Sequence, residues 1–301
     1  MDQRPGPEPA EGGSSRAGAA VNGGVELHWT LDRPPDRSGI PLLLVNGLGS
    51  PLVAFEPGLV RRLVERGLAV ARFDNRDVGR SDRVETGPPG QPTPYTLADM
   101  AADAAAVLDA IGWTEANVLG QSMGGMIAQQ LAIDRPERVR SLVALMTSSG
   151  EPGHGRPSDG AMEALLRPAP TERNAWLEYR VATERVWASP DHWDEAWLRA
   201  KSAALWDHGV DSGGSLRQFR AVRAAGSRDA ALARLSVPTL VVHGSADTLI
   251  APDGGRHLAD VIPGARYREI DGLGHDLPPG LWDVLVDVVA GFVEGVEADR
   301  A

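Results

Sequence analysis

There is no cysteine among the 301 residues. That absence excludes disulfides, thiol nucleophiles and zinc–thiolate sites. No apolar run approaches the roughly 20 residues of a membrane span. The opening stretch MDQRPGPEPAEGGSSRAGAA lacks the apolar centre of a secretory signal. Basic residues are the minority, 30 Lys and Arg against 41 Asp and Glu, for a formal net charge of −11. An acidic surface repels phosphate backbones and anionic lipid, so neither nucleic acid nor membrane is an expected partner. The expected location is the cytoplasm. Composition says nothing of oligomeric state.

What is present is an ordinary globular composition, 42% hydrophobic and 24% charged. The length allows one large domain or two small ones. Residues 1–22 are rich in Pro, Gly, Ala and Ser and read as a disordered tail. Beyond them, short apolar runs alternate with helical patterns. PLLLV (41–45), LAVARF (68–73), ANVLG (116–120), SLVALM (141–146), PTLVVH (238–243) and RYREI (266–270) read as strands. LADMAADAAAVLDAIG (97–112) reads as a helix capped by Thr96, and LWDVLVDVVAGFVEGV (281–296) as a closing helix. Such alternation predicts an α/β fold, a mostly parallel central sheet with helices on both faces. Residues 151–215 lack strands and carry five of the eight tryptophans. They read as an inserted helical cap over the C-terminal sheet edge, between core segments 23–150 and 216–301.

The run GQSMGG (120–125) follows ANVLG and opens the next helical pattern. A serine on so tight a turn is strained, which projects its hydroxyl outward and leaves room only for glycine at 120 and 124. The competing reading of Ser122 is a plain helix N-cap. A serine nucleophile needs a base. Of the seven histidines, His275 alone follows the last strand, in the glycine-flanked loop DGLGHDLPPG. The base needs an orienting carboxylate, and Asp247 lies just past the strand PTLVVH. Asp276 is a weaker rival, because adjacent residues rarely aim at each other. An oxyanion would be met by the amide of Met123 and by that of Leu48 in the turn NGLGSP (46–51).

These pieces together resemble an α/β-hydrolase over residues 22 to 298. The resemblance rests on VNGLG, FDNRDVGRSD (73–82), GQSMGG, VPTLVVHGSADTLIAP (237–252) and IPGARYREIDGLGHDLP (262–278). The chain looks most like the aclacinomycin methylesterase group. That likeness implies a cofactor-free, metal-free Ser–His–Asp carboxylesterase acting on a small-molecule ester or lactone. It also implies bracing roles for Asp74, Arg76 and Ser81. Trp176, Trp187, Trp193, Trp197 and Trp206 could wall a pocket for a large substrate, or simply pack the cap. Two other functions fit the same residues. One is carbon–carbon cleavage, decarboxylation or cyclisation of a biosynthetic intermediate. The other is a non-catalytic small-molecule receptor.

Overall fold

A computed structural model describes residues 14–36, 39–85 and 93–300. Eight strands form one sheet: β1 (Ser14–Asn22), β2 (Val25–Arg33), β3 (Ile40–Val45), β4 (Leu68–Phe73), β5 (Ala116–Gln121), β6 (Val139–Leu145), β7 (Thr239–Gly244) and β8 (Arg266–Ile270). Their order across the sheet is β1-β2-β4-β3-β5-β6-β7-β8. β1 pairs antiparallel with β2, and β2 antiparallel with β4. All pairs from β4 through β8 are parallel.

Ten α-helices and four short 3-10 helices complete the regular structure of the described residues. The α-helices are α1 (Pro57–Glu65), α2 (Leu97–Ile111), α3 (Met123–Asp134), α4 (Asp159–Leu166), α5 (Arg173–Glu184), α6 (Glu195–Gly209), α7 (Ser212–Ala225), α8 (Asp229–Leu232), α9 (Pro252–Val261) and α10 (Trp282–Arg300). Each central strand splits its side chains between two cores, as the two-residue period of a strand requires. Leu43 and Val45 of β3 join Val118 of β5 and the buried faces of α2 and α3. Leu42 and Leu44 join Leu119 and the buried faces of α1 and α10. Burial on both faces is why these strands read as unbroken apolar runs. Helix α2 starts on a capping box, Thr96 with Asp99, and stops at Gly112 in the left-handed region at φ 87°. No helix of the described residues is long and apolar enough to cross a membrane.

The expected disordered tail at 1–22 needs correction. Residues 1–13 lie outside the described residues, but Ser14–Asn22 form the edge strand β1. Gly23 and Gly24, at φ 58° and 83°, make the two-residue turn into β2. The strand has little of its own to bury, and its partner supplies the apolar surface. Gly18 faces Trp29 across the ladder, so closely that a Cβ would lie 2.4 Å from the indole. Small residues here admit a neighbour's ring rather than signal disorder.

Between β6 and β7 the chain is helical from α4 through α8, with no strand among the described residues. The boundary expected at 215 falls inside α7, which continues to Ala225. This helical segment is bolted to the core by polar contacts. Arg217 forks onto Asp77 at 2.7 and 2.8 Å, and His208 Nε2 lies 2.8 Å from Asp74 Oδ2.

Candidate active site

Ser122 sits between β5 and α3 at φ 55°, ψ −121°, where side chains are strained at a cost of about 1–3 kcal/mol. Its side chain makes no cap hydrogen bond to the helix, so the plain N-cap reading does not hold. The strain is held by the backbone. Ser122 N donates to Leu145 O at 2.9 Å, and Ser122 O accepts from Gly125 N, Met126 N and Thr147 Oγ1. The flanking glycines are obligatory for space. A Cβ at Gly120 would lie 2.1 Å from Gly124 O, and one at Gly124 would lie 2.0 Å from Val45 O. Both obstacles are backbone, so Gly124→Ala must push apart the elbow and the strand leading into the 46–51 turn. We expect it to lower stability by about 3 kcal/mol or more, the upper end of overpacking penalties, read as a fall in thermal midpoint.

From this turn runs a chain of short hydrogen bonds. Ser122 Oγ is 3.0 Å from His275 Nε2, and His275 Nδ1 is 2.7 Å from Asp247 Oδ2. Asp247 Oδ1 accepts from Leu249 N and Ile250 N, both at 2.9 Å. The loops after β7 and β8 are joined by main-chain and side-chain bonds. Ser245 N donates to Ile270 O and Ala246 N to Leu273 O, each at 3.0 Å, while Gly272 N donates to Ser245 Oγ at 2.8 Å. That zipper keeps the carboxylate and the imidazole adjacent.

The electrostatics follow from burial and pairing. Burial pushes the Asp247 carboxyl up, but His275 and then His243 outweigh it and hold the group well below the usual carboxylate range. Burial pushes His275 down. The Asp247 charge and hydrogen bond exceed that effect, Glu184 and Asp276 add to it, and the imidazole ends above its ordinary value.

The turn after β3 passes beside the serine. A Cβ on Gly47 would lie 3.3 Å from Ser122 Cβ. Among the described residues, neither Leu48 N nor Met123 N has an acceptor. These are the two donors expected from the sequence to meet a negative oxygen. The turn is held from both sides. Gly49 N donates to Gln218 Oε1 at 2.8 Å, and Leu52 N donates to Asp74 Oδ1 at 2.6 Å. Asp74 also accepts from Arg80 N, Ser81 Oγ donates to Asp74 O, and Arg76 forks onto buried Asp103. These are bracing contacts.

The other histidines lie elsewhere. His208 meets Asp74, with His28 at 6.2 Å ring to ring, and His257 meets Asp229 while stacking on His154 at 3.9 Å. The ring of His192 lies against Gly280. His243 has a larger part than local packing. Its Nε2 donates to Ile250 O at 2.8 Å and lies 3.3 Å from Asp247 Oδ2, so one carboxylate faces two imidazoles. Asp276 turns away from the imidazole and binds Ser189. Gln218, Thr147 and Ser189 carry no sequence signal, because each acts on a partner remote in the chain.

The five tryptophans mainly knit the helical segment. Trp176 and Trp187 are buried, Trp176 tilts against Trp206 at 5.4 Å, and Trp187 Nε1 donates to Glu184. Trp193 lies under Arg185. Trp197 Nε1 reaches the Glu56 carboxylate of the core, with Lys201 4.8 Å over its ring.

Proteins of related sequence and fold are known. The model of the alpha/beta hydrolase fold family matches residues 40–278. The chain is similar to the rhodomycin D methylesterase DauP of Streptomyces sp. (strain C5). The two are 32% identical over 275 residues, 84% of this chain and 91% of the relative. It is equally similar to the rhodomycin D methylesterase DnrP of Streptomyces peucetius, 32% identical over 286 residues with the same coverage of 84% and 91%. Among solved structures, the enol-lactonase from Burkholderia xenovorans LB400 matches with a TM-score of 0.73 at 26% identity. The match covers 92% of this chain and 100% of that one.

Proposed function

The chain belongs to the alpha/beta hydrolase fold family and is a carboxylic ester hydrolase; from that premise we propose that it cleaves a methyl ester or lactone of a polyketide-like small molecule through Ser122, His275 and Asp247. The observation that carries the reading is the pair of contacts at 3.0 and 2.7 Å joining a strained serine to a buried imidazole and carboxylate.

The steps follow from the geometry. His275 Nε2 takes the Ser122 proton as Oγ attacks the carbonyl carbon. Asp247 fixes the tautomer with Nδ1–H and stabilises the imidazolium. The amides of Leu48 and Met123 bind the oxygen that becomes negative. His275 then protonates the leaving alcohol, and an acyl-Ser122 ester remains. Water, deprotonated by the same imidazole, releases the acid. Nothing in these steps draws on a cofactor or metal.

The methyl ester choice rests on the two rhodomycin D methylesterases, and the lactone choice on the enol-lactonase. We assign residues 151–215, extended through α7, as a cap bounding the substrate crevice. Trp193, Trp197 and Trp206 keep part of their surface exposed, and that part is the candidate wall for a polycyclic acyl group. A non-catalytic receptor role is disfavoured, because binding alone gains nothing from strain at Ser122.

The test is a panel of methyl esters of aromatic polyketide acids, simple aryl esters and lactones, run with wild type and Ser122→Ala together. We expect Ser122-dependent methanol release from the polycyclic methyl esters, with kcat/KM at least about tenfold above that for p-nitrophenyl acetate. Turnover confined to β-diketones or β-keto acids would instead favour the carbon–carbon cleavage reading.

A further inference from the structure

The loop that carries His275 is rich in glycine. Gly272 stands at φ 70° and Gly274 immediately precedes the histidine. Besides the bonds to the loop after β7, its position is fixed by the turn that follows α5. Residues 186–189 cross both loops of the site. Thr248 Oγ1 donates to Val186 O at 2.9 Å, beside the acid. His275 N donates to Trp187 O at 2.6 Å. Gly274 N donates to Ser189 Oγ at 2.8 Å, and Ser189 Oγ donates to Asp276 Oδ1 at 2.6 Å. Ser189 N donates to that same oxygen at 3.0 Å. The residue before the imidazole, the histidine itself and the residue after it are each bonded to one four-residue segment.

The fit is close. A Cβ on Gly274 would lie 2.3 Å from Trp187 O and 2.6 Å from Ser189 N, so the two backbones lie flush. Ser189 has no exposed surface, and Asp276 is buried. The segment is itself anchored in the helical insertion, where the Trp187 ring packs on Ala161 and Ala164. Asp276 makes no bond to the His275 ring, and Ser189 is not in the proton chain, so the chemistry itself uses neither.

We propose that residues 186–189 are a strap through which the helical insertion sets the position of His275, with Ser189 and Asp276 as positioning residues. The proposal rests on the Ser122–His275–Asp247 reading and deepens it. The cap then does more than admit or reject substrates: it holds the base within reach of the serine, even when the acyl group is too small to touch the cap. A displacement near 1 Å at a reacting group can lower rate by about 10²-fold, which bounds the expected effect.

The experiment compares Ser189→Ala, Asp276→Ala, Asp276→Asn and Ser122→Ala with wild type. The probes are p-nitrophenyl acetate turnover and the rate of labelling by a small fluorophosphonate. We expect Ser189→Ala and Asp276→Ala to lower kcat and labelling rate by about 10- to 100-fold with KM for the acetate unchanged. Asp276→Asn keeps an acceptor at Oδ1 and should recover most of both rates. Residues that only shape the pocket would raise KM for bulky esters and spare acetate and labelling. Wild-type rates in Ser189→Ala and Asp276→Ala, beside an inert Ser122→Ala, would overturn the strap alone. Equal loss in Asp276→Asn and Asp276→Ala would also overturn it, since charge rather than the bonded acceptor would then matter. Turnover retained in Ser122→Ala would overturn the nucleophile assignment instead. If Ser189→Ala does not fold, the two Asp276 variants decide the question.

Discussion

Ser122→Ala is expected to lower kcat by about 10⁶-fold and to abolish covalent labelling, the scale seen when a serine hydrolase loses its nucleophile. The Oγ atom that His275 Nε2 approaches at 3.0 Å is removed, and no hydroxyl is left to form the acyl intermediate. The amides of Leu48 and Met123 stay where they are. A residual acceleration over water of about 10³–10⁴-fold, from those donors and from binding, is therefore the expected floor. Folding should be nearly unaffected. The elbow is held by backbone bonds to Leu145 O and from Gly125 N and Met126 N, all of which alanine retains. The check is paired: kcat on an aryl ester, and thermal unfolding of the same preparation. A dead enzyme with an unchanged midpoint is the predicted outcome, and a turnover near wild type would remove Ser122 from the chemistry.

Asp247→Asn should cost about 10⁴-fold in kcat, by a different route. Asp247 Oδ1 accepts from Leu249 N and Ile250 N, so the oxygen of an asparagine would stay there. Its NH₂ would then occupy the Oδ2 position, 2.7 Å from His275 Nδ1. A donor at that place selects the imidazole tautomer with hydrogen on Nε2, which cannot accept the serine proton. The substitution also changes the pH profile. Burial pushes His275 down, and Asp247 is the leading cause that lifts it above its ordinary value. Activity needs neutral His275, so in wild type kcat/KM should rise with pH through a midpoint above ~6.5, the unperturbed histidine value. Without the carboxylate the downward effect of burial gains, and the midpoint should move to lower pH. A rising limb at the same pH in wild type and Asp247→Asn would show that the carboxylate does not act on His275.

Much of the core was legible because its signals are local. The strands β3 to β7 announce themselves as short apolar runs, since a strand covered on both faces has little polar side to show, whereas β8, RYREI at the sheet edge, is mostly polar and half exposed. Gly120 and Gly124 mark the elbow because any Cβ there meets backbone, 2.1 and 2.0 Å away. His275 and Asp247 stand out in the sequence by their places just beyond strand ends. The edge strand β1 reads as tail in the sequence, because its Ala, Gly and Ser residues rely on Trp29 of β2 for apolar cover. The tryptophans of the helical segment between β6 and β7 are legible in the sequence only as a composition. Which of them is buried depends on helix–helix contacts such as Trp176 with Trp206.

Residue order alone was enough for the family, and it puts Ser122, Asp247 and His275 each at a strand end or a glycine turn, where the fold brings their side chains within hydrogen-bonding reach. Proximity in space was needed for the rest. His243 faces the same carboxylate as His275, Gln218 holds Gly49, and Ser189 ties the residues either side of His275. Each of these groups bonds a partner whose place depends on the packing of the sheet, its loops or the helical insertion. Their roles are therefore properties of the assembled fold, and no local pattern of side chains encodes them.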